Sequence, residues 1–254
     1  MGAGHTHALY VHEHSPIHEL APEAKLVAAF GFVIAIAVTP RQAIWAFGVY
    51  ALLVVALVAI SRIGPGFLAV RLVAVAPFVL FALFIPFIAT GDTVEVWGFA
   101  LSVDGLWGMW NILAKALLGA SVSIVLTATT EIPEIIRGLG LLRVPALFVA
   151  IAGFMVRYLE LIADEMRRTR LAMTARGYDP RWLSQAGPIA GAAGALFVRS
   201  YERGERVHAA MLSRGFTGVM PALGHRRATS REWIASGALV LTAVVVAIAA
   251  MVSR

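Results

Sequence analysis

The chain has 254 residues, of which 59% are hydrophobic and 14% charged, and its 21 Lys and Arg against 15 Asp and Glu give a formal net charge of +6. Together with a mean hydropathy of +0.81, these values exclude a water-soluble globular protein, a disordered chain and a collagen-like repeat, and they indicate an integral membrane protein. The chain contains no Cys, which also excludes disulfide scaffolds, cysteine nucleophiles and thiolate metal sites.

The first twenty residues form a polar tail that holds five of the seven His. The tail lacks a basic stretch followed directly by an apolar stretch and a small-residue cleavage site, so we expect no secretory signal and a first helix that is retained. A tail without fixed geometry does not select among Co, Ni, Zn and Cu, and weak or adventitious metal binding is the simpler interpretation. The five residues are His5, His7, His12, His14 and His18.

Uncharged apolar runs predict the membrane-spanning helices, since a helix needs about 20 apolar residues to cross a hydrocarbon core of about 30 Å. Three runs contain no charged residue or His, and a fourth contains one charge, Lys115. A fifth run, residues 26–38, is short and has to recruit residues 21–25, tilt, or lie where the bilayer is thin. The four longer runs are residues 43–60, 72–89, 106–128 and 233–252.

The charge distribution predicts the orientation of these helices. Residues 131–232 contain fifteen Arg against nine acidic residues, and basic flanks of membrane spans face the cytoplasm. The loop 91–105 carries three acidic residues and no basic one, so we expect it outside, and the loop 61–71, with two Arg, inside. Five spans then place the N-terminus inside and the C-terminus outside.

A competing topology passes residues 144–162 and 186–198 through the membrane as an additional hairpin. It would move a cluster of Arg to the outside, and the first segment has only about 13 apolar residues before Arg157 and Glu160 interrupt it. We therefore expect the two segments to pack against each other at the inner surface. Close packing is favoured by small residues that recur every four positions in the second segment. They are Gly187, Gly191 and Ala195.

The Arg-rich segment contains an internal repeat with an offset of 38 residues. Residues 173–178 align with residues 211–216, and both copies read as a polar helix that ends in a small residue, Arg, Gly and an aromatic residue. A Gly there is typical of the left-handed C′ residue that ends a helix. A cation is favoured at a helix C-terminus in any case, so simple capping is the alternative interpretation. Simple capping, however, does not explain why both copies have the same Met and aromatic neighbours. The planar guanidinium of Arg is well suited to bind carboxylates on the surface of a partner.

These motifs resemble the two Ala-Arg-Gly-type motifs of the transmembrane T component of energy-coupling factor (ECF) transporters. The stretch 196–203 leading into Arg206, and the entry segment 14–18 with Pro22 and Lys25, are similar to the cobalt-type member often called CbiQ. The likeness runs from about residue 12 to the last span. The motif residues are Ala175, Arg176 and Gly177 in the first copy and Ser213, Arg214 and Gly215 in the second, with Tyr178, Phe216, Asp164 and Glu202 in support.

The resemblance implies an all-α, polytopic membrane protein that has no catalytic residue, metal ligand or bound cofactor of its own. It implies that Arg176 and Arg214 contact acidic groups on two copies of a cytoplasmic P-loop ATPase, which bind the ATP. The chain would link them to a membrane substrate-binding subunit for cobalt or nickel, with room for a small accessory membrane subunit, in a bacterial-type cytoplasmic membrane. The matching organisation is a tail (1–20), four spans (21–130), a cytoplasmic coupling-helix domain (131–231) and a last span (232–254).

Several other functions conflict with the sequence. Neither Lys follows a Gly, so the chain lacks a P-loop and is not the ATPase. No His lies between His18 and His208, which disfavours an intramembrane serine hydrolase. The Arg surplus flanks membrane helices beside an anionic inner surface, so we expect lipid contact rather than nucleic-acid binding.

Two alternative functions remain open on sequence grounds. A self-sufficient secondary transporter needs ionisable groups at mid-depth in the membrane, and only Lys115 qualifies. This Lys could equally snorkel, pair across helices or contact the substrate-binding subunit. A membrane scaffold for another cytoplasmic complex differs from the ECF component only in its partner. A further hypothesis is that the His-rich tail hands cobalt or nickel to the substrate-binding partner.

Overall fold

The computed structural model describes residues 10–11, 13, 15–90, 92–96, 99–180, 182–218 and 227–253. Within them the chain forms two compact units. The bundle unit contains the described residues up to 138 and from 227 onwards, and the inserted unit contains residues 139–218. The tail residues His5, His7, His12 and His14 lie outside the described residues, and with them the hypothesis that the tail transfers metal to a partner.

Helices dominate the described residues, which confirms the predicted all-α class, and one short antiparallel hairpin accompanies them. The bundle unit contains α1 to α5, the hairpin, most of α6, and α9, whereas the inserted unit contains α7 and α8. In chain order the elements are α1 (Pro22–Val38), α2 (Ile44–Ser61), α3 (Pro65–Leu72), a 3₁₀ turn (Val73–Val75), α4 (Ala76–Ile88), β1 (Thr93–Val96), β2 (Phe99–Ser102), α5 (Val103–Thr129), α6 (Ile132–Leu141), α7 (Ala146–Ala175), a 3₁₀ turn (Leu183–Gln185), α8 (Gly187–Leu212) and α9 (Ser230–Val252).

Five helical segments of the described chain are long and apolar enough to span a membrane: α2, α3 with α4, α5, α7 and α9. The number agrees with the prediction but the set differs, because α7 is included and α1, with 17 residues, is not. Helix α1 is about 25 Å long and recruits residues 22–25, with Pro22 at its favoured N-terminal position. It packs closely on α9, since a Cβ on Gly31 would lie 2.8 Å from the Val240 methyl groups.

Helix α1 is short because it ends inside the bundle. The buried Thr39 follows its last residue, and the Thr39 hydroxyl donates a 2.8 Å hydrogen bond to the Ala35 carbonyl. The Tyr50 hydroxyl lies 2.9 Å from that of Thr39 and donates to the Ala243 carbonyl of α9 at 3.1 Å. These contacts satisfy polar groups that an apolar environment would otherwise leave without partners.

Polar contacts fix the direction of the first helices relative to α5. Lys25 near the start of α1 donates a 2.8 Å hydrogen bond from Nζ to the carbonyl of Thr129, the last residue of α5. Arg41, just before α2, pairs at 2.8 Å with Asp104 near the start of α5. Helix α2 therefore runs parallel to α5, and α1 runs antiparallel to both.

Helices α1 and α9 begin side by side. The backbone N–H of Ala21, before α1, donates a 3.1 Å hydrogen bond to the carboxylate of Glu232 in the first turn of α9. The two helices therefore run parallel, and an odd number of crossings has to separate them. Helices α2, α3 with α4, and α5 supply three.

Three sequence predictions need correction. The loop 61–71 is shorter than expected because Pro65 starts α3, so the span predicted at 72–89 consists of α3 and α4 with a 3₁₀ turn between them. The loop 91–105 contains the β1–β2 hairpin, where Thr93 pairs with Ser102, and the start of α5. The small residues of α8 do not create close packing, since a Cβ on Gly187 or Gly191 would meet nothing within 4 Å.

Candidate functional site

The first motif copy ends α7 with a complete Schellman motif. Gly177 has a φ of 82°, in the left-handed region. Its N–H donates to the Thr174 carbonyl at 2.9 Å, and the N–H of Tyr178 donates to the Met173 carbonyl at 3.1 Å. This pair of hydrogen bonds satisfies carbonyls that the helix end would leave without partners.

The second copy ends α8 in the same way. Gly215 has a φ of 79°, its N–H donates to the Leu212 carbonyl at 3.0 Å, and the N–H of Phe216 donates to the Met211 carbonyl at 3.0 Å. The prediction that both Gly are left-handed C′ residues is therefore confirmed. A Cβ on either Gly would meet nothing within 4 Å, so the requirement for Gly is conformational and not steric.

Arg176 and Arg214 occupy equivalent positions immediately before these Gly. Their backbone N–H groups donate to the carbonyls of Met173 and Met211 at 3.0 and 3.1 Å. Both Arg are exposed, and within the described residues neither guanidinium has an ion pair or a hydrogen bond to the end of its own helix. Both forks are therefore available to groups outside the described chain.

An ion pair that the sequence did not reveal joins α7 to α8. The Glu165 carboxylate of α7 lies 3.0 Å from Arg199 Nε and 3.5 Å from Arg203 Nη2, both on α8. We name these three residues the Glu165 clamp. Glu165 and Arg203 are also separated by 38 residues, and each lies eleven residues, or about 16 Å, before the Arg of its motif. The clamp thus links the two helices at matched positions of the repeat.

The two acidic residues predicted to support the motifs, Asp164 and Glu202, each make an ion pair within their own helix. Asp164 pairs with Arg167 at 3.1 Å, and Glu202 pairs with Arg206 at 3.8 Å, each within its own helix. One residue further along a helix points about 100° away, which is why Glu165 reaches α8 and Asp164 does not.

The aromatic residue of each motif fixes the chain that follows its helix. Phe216 lines an apolar groove of about 340 Å³ between α7 and α8, together with Met211 and Tyr158. The Tyr178 hydroxyl donates a hydrogen bond to the Gln185 carbonyl. The residues that follow each Arg are therefore held in place by contacts within the inserted unit.

Two buried carboxylates, those of Glu23 and Glu232, form hydrogen bonds at the end of the bundle where the chain enters and leaves the inserted unit. Glu23 accepts a 2.7 Å hydrogen bond from the N–H of Ala228, and Glu232 forms a capping box with Thr229. A Cβ on Gly138 would lie 3.2 Å from the backbone N of Glu23, so the departing chain also packs on the first turn of α1. We name Glu23, Gly138, Ala228 and Glu232 the bundle joint. The capping box could have been recognised in the sequence from its Thr-x-x-Glu pattern.

The entry segment before α1 is anchored by His18. Its Nε2 lies 3.1 Å from the Val11 carbonyl and its Nδ1 lies 2.7 Å from the Ser15 hydroxyl, so a neutral ring donates to the first and accepts from the second. Burial lowers the pKa of His18 below its usual value, and the nearby Lys25 charge acts in the same direction. Among the described residues, no group of three or more His, Asp or Glu could hold a metal ion.

Comparison with known proteins assigns the chain to a family. A family model described as "CbiQ: Cobalt transport protein" matches residues 13–225. The energy-coupling factor transporter transmembrane protein EcfT of Streptococcus thermophilus is 27% identical over 238 residues, which cover 86% of this chain and 87% of the relative. The protein of the same name from Lacticaseibacillus paracasei is 25% identical over 256 residues, covering 92% and 94%.

A partial match carries a cobalt-related name. A putative fused cobalt transport protein CbiMQ of Methanocorpusculum labreanum is 28% identical over 109 residues, which cover 43% of this chain and 18% of the relative. The chain therefore belongs to the CbiQ family of cobalt transport proteins and is a transmembrane T component of an ECF transporter.

Proposed function

We propose that this chain couples two cytoplasmic ATPases to a membrane substrate-binding protein and so drives the import of cobalt. The observation that carries the proposal is the pair of equivalent helix ends, each of which presents an exposed Arg without an ion pair in the described structure. Two equivalent contacts suit two copies of one ATPase. The chain itself takes no catalytic part, and ATP binds to the ATPases.

The recognition chemistry rests on the Arg fork. A guanidinium forms two parallel charge-assisted hydrogen bonds with a carboxylate, which gives both affinity and a fixed orientation. The Schellman motif holds each Arg at the end of a helix of 26 or 30 residues. A rigid helix of that length moves as a unit, so displacement of an ATPase at the Arg would be transmitted along the helix.

Displacement of an ATPase would be transmitted from the Arg to the bundle through the Glu165 clamp and the bundle joint. The clamp makes α7 and α8 respond together, because the Glu165 carboxylate contacts two Arg of α8. The inserted unit is connected to the bundle at two places, Gly138 and Ala228, and both connections lie on the first turn of α1. Motion of the inserted unit would thus act on α1, which packs along α9 and α5 through much of the bundle core.

The orientation that fits this role places the bundle joint on the cytoplasmic side. The end of the bundle that carries the joint connects directly to the Arg-rich inserted unit, whereas the opposite end carries Asp92 and Asp104. Basic residues accumulate on the cytoplasmic side of membrane proteins. Because α1 and α9 run parallel, the N-terminus would lie inside and the C-terminus outside, in a cytoplasmic membrane.

Cobalt is the proposed substrate because the matching family is described as cobalt transport. Nickel is the alternative. The metal site would belong to the membrane substrate-binding partner, as the resemblance to ECF transporters implies.

The test uses the complex reconstituted in liposomes, with ATP hydrolysis and radiolabelled cobalt uptake measured on the same sample. The double variant Arg176→Glu, Arg214→Glu should reduce uptake at least about 10-fold, and by more than the corresponding Ala variant, since repulsion is added to the lost contact. Arg170→Glu, an equally exposed change on α7, is the matched control and should leave uptake nearly unchanged. Normal assembly and uptake in the double Glu variant would refute the mechanism.

A further inference from the structure

Lys115 lies at the middle of a membrane-spanning helix. It is the thirteenth of the 27 residues of α5, which places it about 18 Å along the helix from one end and about 21 Å from the other. A lysine side chain is much shorter than either distance, so its ammonium does not reach water at the membrane surface by snorkelling. A cation at this depth is costly unless a neighbouring group compensates it.

The described structure compensates Lys115 only in part. Its Nζ donates one 2.7 Å hydrogen bond, to the carbonyl of Ala37 at the end of α1, although an ammonium has three donors. No carboxylate pairs with it among the described side chains. Lys25 differs, since it is buried and donates to two carbonyls, those of His18 and Thr129, at 3.0 and 2.8 Å.

An exposed apolar face of α1 lies next to this cation. Phe30, Ile34 and Val38 follow one another at four-residue spacing, on one side of the helix, and are exposed by 58%, 60% and 54%. Ala37, whose carbonyl accepts from Lys115, neighbours Val38 and is also exposed. We name Phe30, Ile34, Val38 and Lys115 the lysine face.

We propose that the lysine face docks a transmembrane helix of the substrate-binding partner, and that this helix carries an Asp or Glu opposite Lys115. The inference rests on the proposed function, which supplies a membrane partner. Lipid tails offer no acceptor, and lipid head groups lie too far from the middle of α5. The bundle spans of a second copy offer no carboxylate at this depth either, because their acidic residues, such as Glu23, Asp104 and Glu232, lie near the helix ends.

The first test measures how tightly the purified membrane partner, taken from the wild-type complex, binds to variants of this chain. Lys115→Met should weaken binding about 30-fold or more, because it leaves the partner carboxylate unpaired in the membrane. Lys115→Arg should bind within about 3-fold of the wild type. Lys25→Met is the matched control, and it should lower the thermal stability of the isolated chain more than Lys115→Met does.

The second test identifies the partner residue. A membrane-permeant carbodiimide condenses a neighbouring amine and carboxylate into an amide, and the chain has only two lysines, of which Lys25 is buried. Mass spectrometry should find Lys115 joined to one acidic residue of the partner. Exchange of the two charges, with Lys115→Glu against Lys at that partner position, should restore binding that Lys115→Glu alone removes.

Unchanged partner affinity in Lys115→Met would overturn the inference and leave Lys115 as a cap for α1 only. Such a result would not affect the proposed function, because the ATPase contacts at Arg176 and Arg214 lie in the other unit. Absence of any membrane partner from the native complex would instead refute the proposed function, and the inference with it.

Discussion

Removal of the Glu165 charge should separate the two helices that present Arg176 and Arg214. In Glu165→Gln, Arg199 and Arg203 would face each other with no carboxylate between them. Hydrogen bonds to charged groups contribute about 1.5–3 kcal/mol, whereas exposed ion pairs contribute about 0.2–1 kcal/mol. The Glu165 side chain is only 19% exposed, so we expect the free energy of unfolding of the inserted unit to fall by about 2 kcal/mol.

The assay is a double-mutant cycle of Glu165→Gln and Arg203→Gln, read by denaturant unfolding of the detergent-purified chain. The coupling energy between the two positions should be about 1 kcal/mol. Asp164→Asn is the matched control, because Asp164 makes only an exposed pair with Arg167 in its own helix, and it should cost less than about 0.5 kcal/mol. A Glu165 variant as stable as this control, with no coupling to Arg203, would refute the clamp.

Three further predictions follow from the backbone and from burial. Gly177→Ala should lower the free energy of unfolding by about 1 kcal/mol, because the φ of 82° at this position is strained for Ala. Gly204→Ala lies inside α8, where a Cβ would meet nothing within 4 Å, and should stabilise the helix by about 0.5–1 kcal/mol. Equal effects of the two substitutions would contradict the helix end assigned at Gly177. Gly31→Ala should destabilise the bundle by about 1–3 kcal/mol in thermal unfolding, and Val240→Ala should recover part of this loss, since the new Cβ would lie 2.8 Å from Val240. The pKa of His18 is lowered in the folded chain, so near this pKa the unfolded chain binds more protons than the folded chain. The contribution of His18 to stability is therefore complete above about pH 6.5 and declines as the pH falls below that value. A His18→Asn variant whose stability depends on pH in the same way as that of the wild type would contradict this assignment.

The features that the sequence predicted are those with a local signal. Apolar runs located α2, α5 and α9 to within a few residues, because helix length and hydropathy follow directly from the thickness of the membrane. The left-handed Gly177 and Gly215 were predictable because a C′ Gly is fixed by its neighbours within one turn.

The features that the sequence did not predict depend on contacts between distant residues. The Glu165 clamp joins residues 34 and 38 positions apart, and the sequence alone does not show which acidic residue of α7 faces α8. The contact between the Thr39 hydroxyl, just after α1, and the Tyr50 hydroxyl of α2 forms only in the folded bundle. Gly187 and Gly191 matched a packing pattern, yet they face no neighbour in the described structure, because small residues permit close approach without causing it.

Coupling to ATPases requires that this chain binds them in its native membrane, so its binding partners there should be identified. The tagged chain would be extracted in a mild detergent at low salt, and the proteins that co-purify with it would be identified by mass spectrometry. We expect P-loop ATPases together with a small membrane protein that binds cobalt, and we expect the ATPases to be lost from the Arg176→Glu, Arg214→Glu variant. A chain that purifies alone and reproducibly, and that takes up metal in liposomes on an ion gradient without ATP, would instead be a secondary transporter and not an ATPase-coupled subunit.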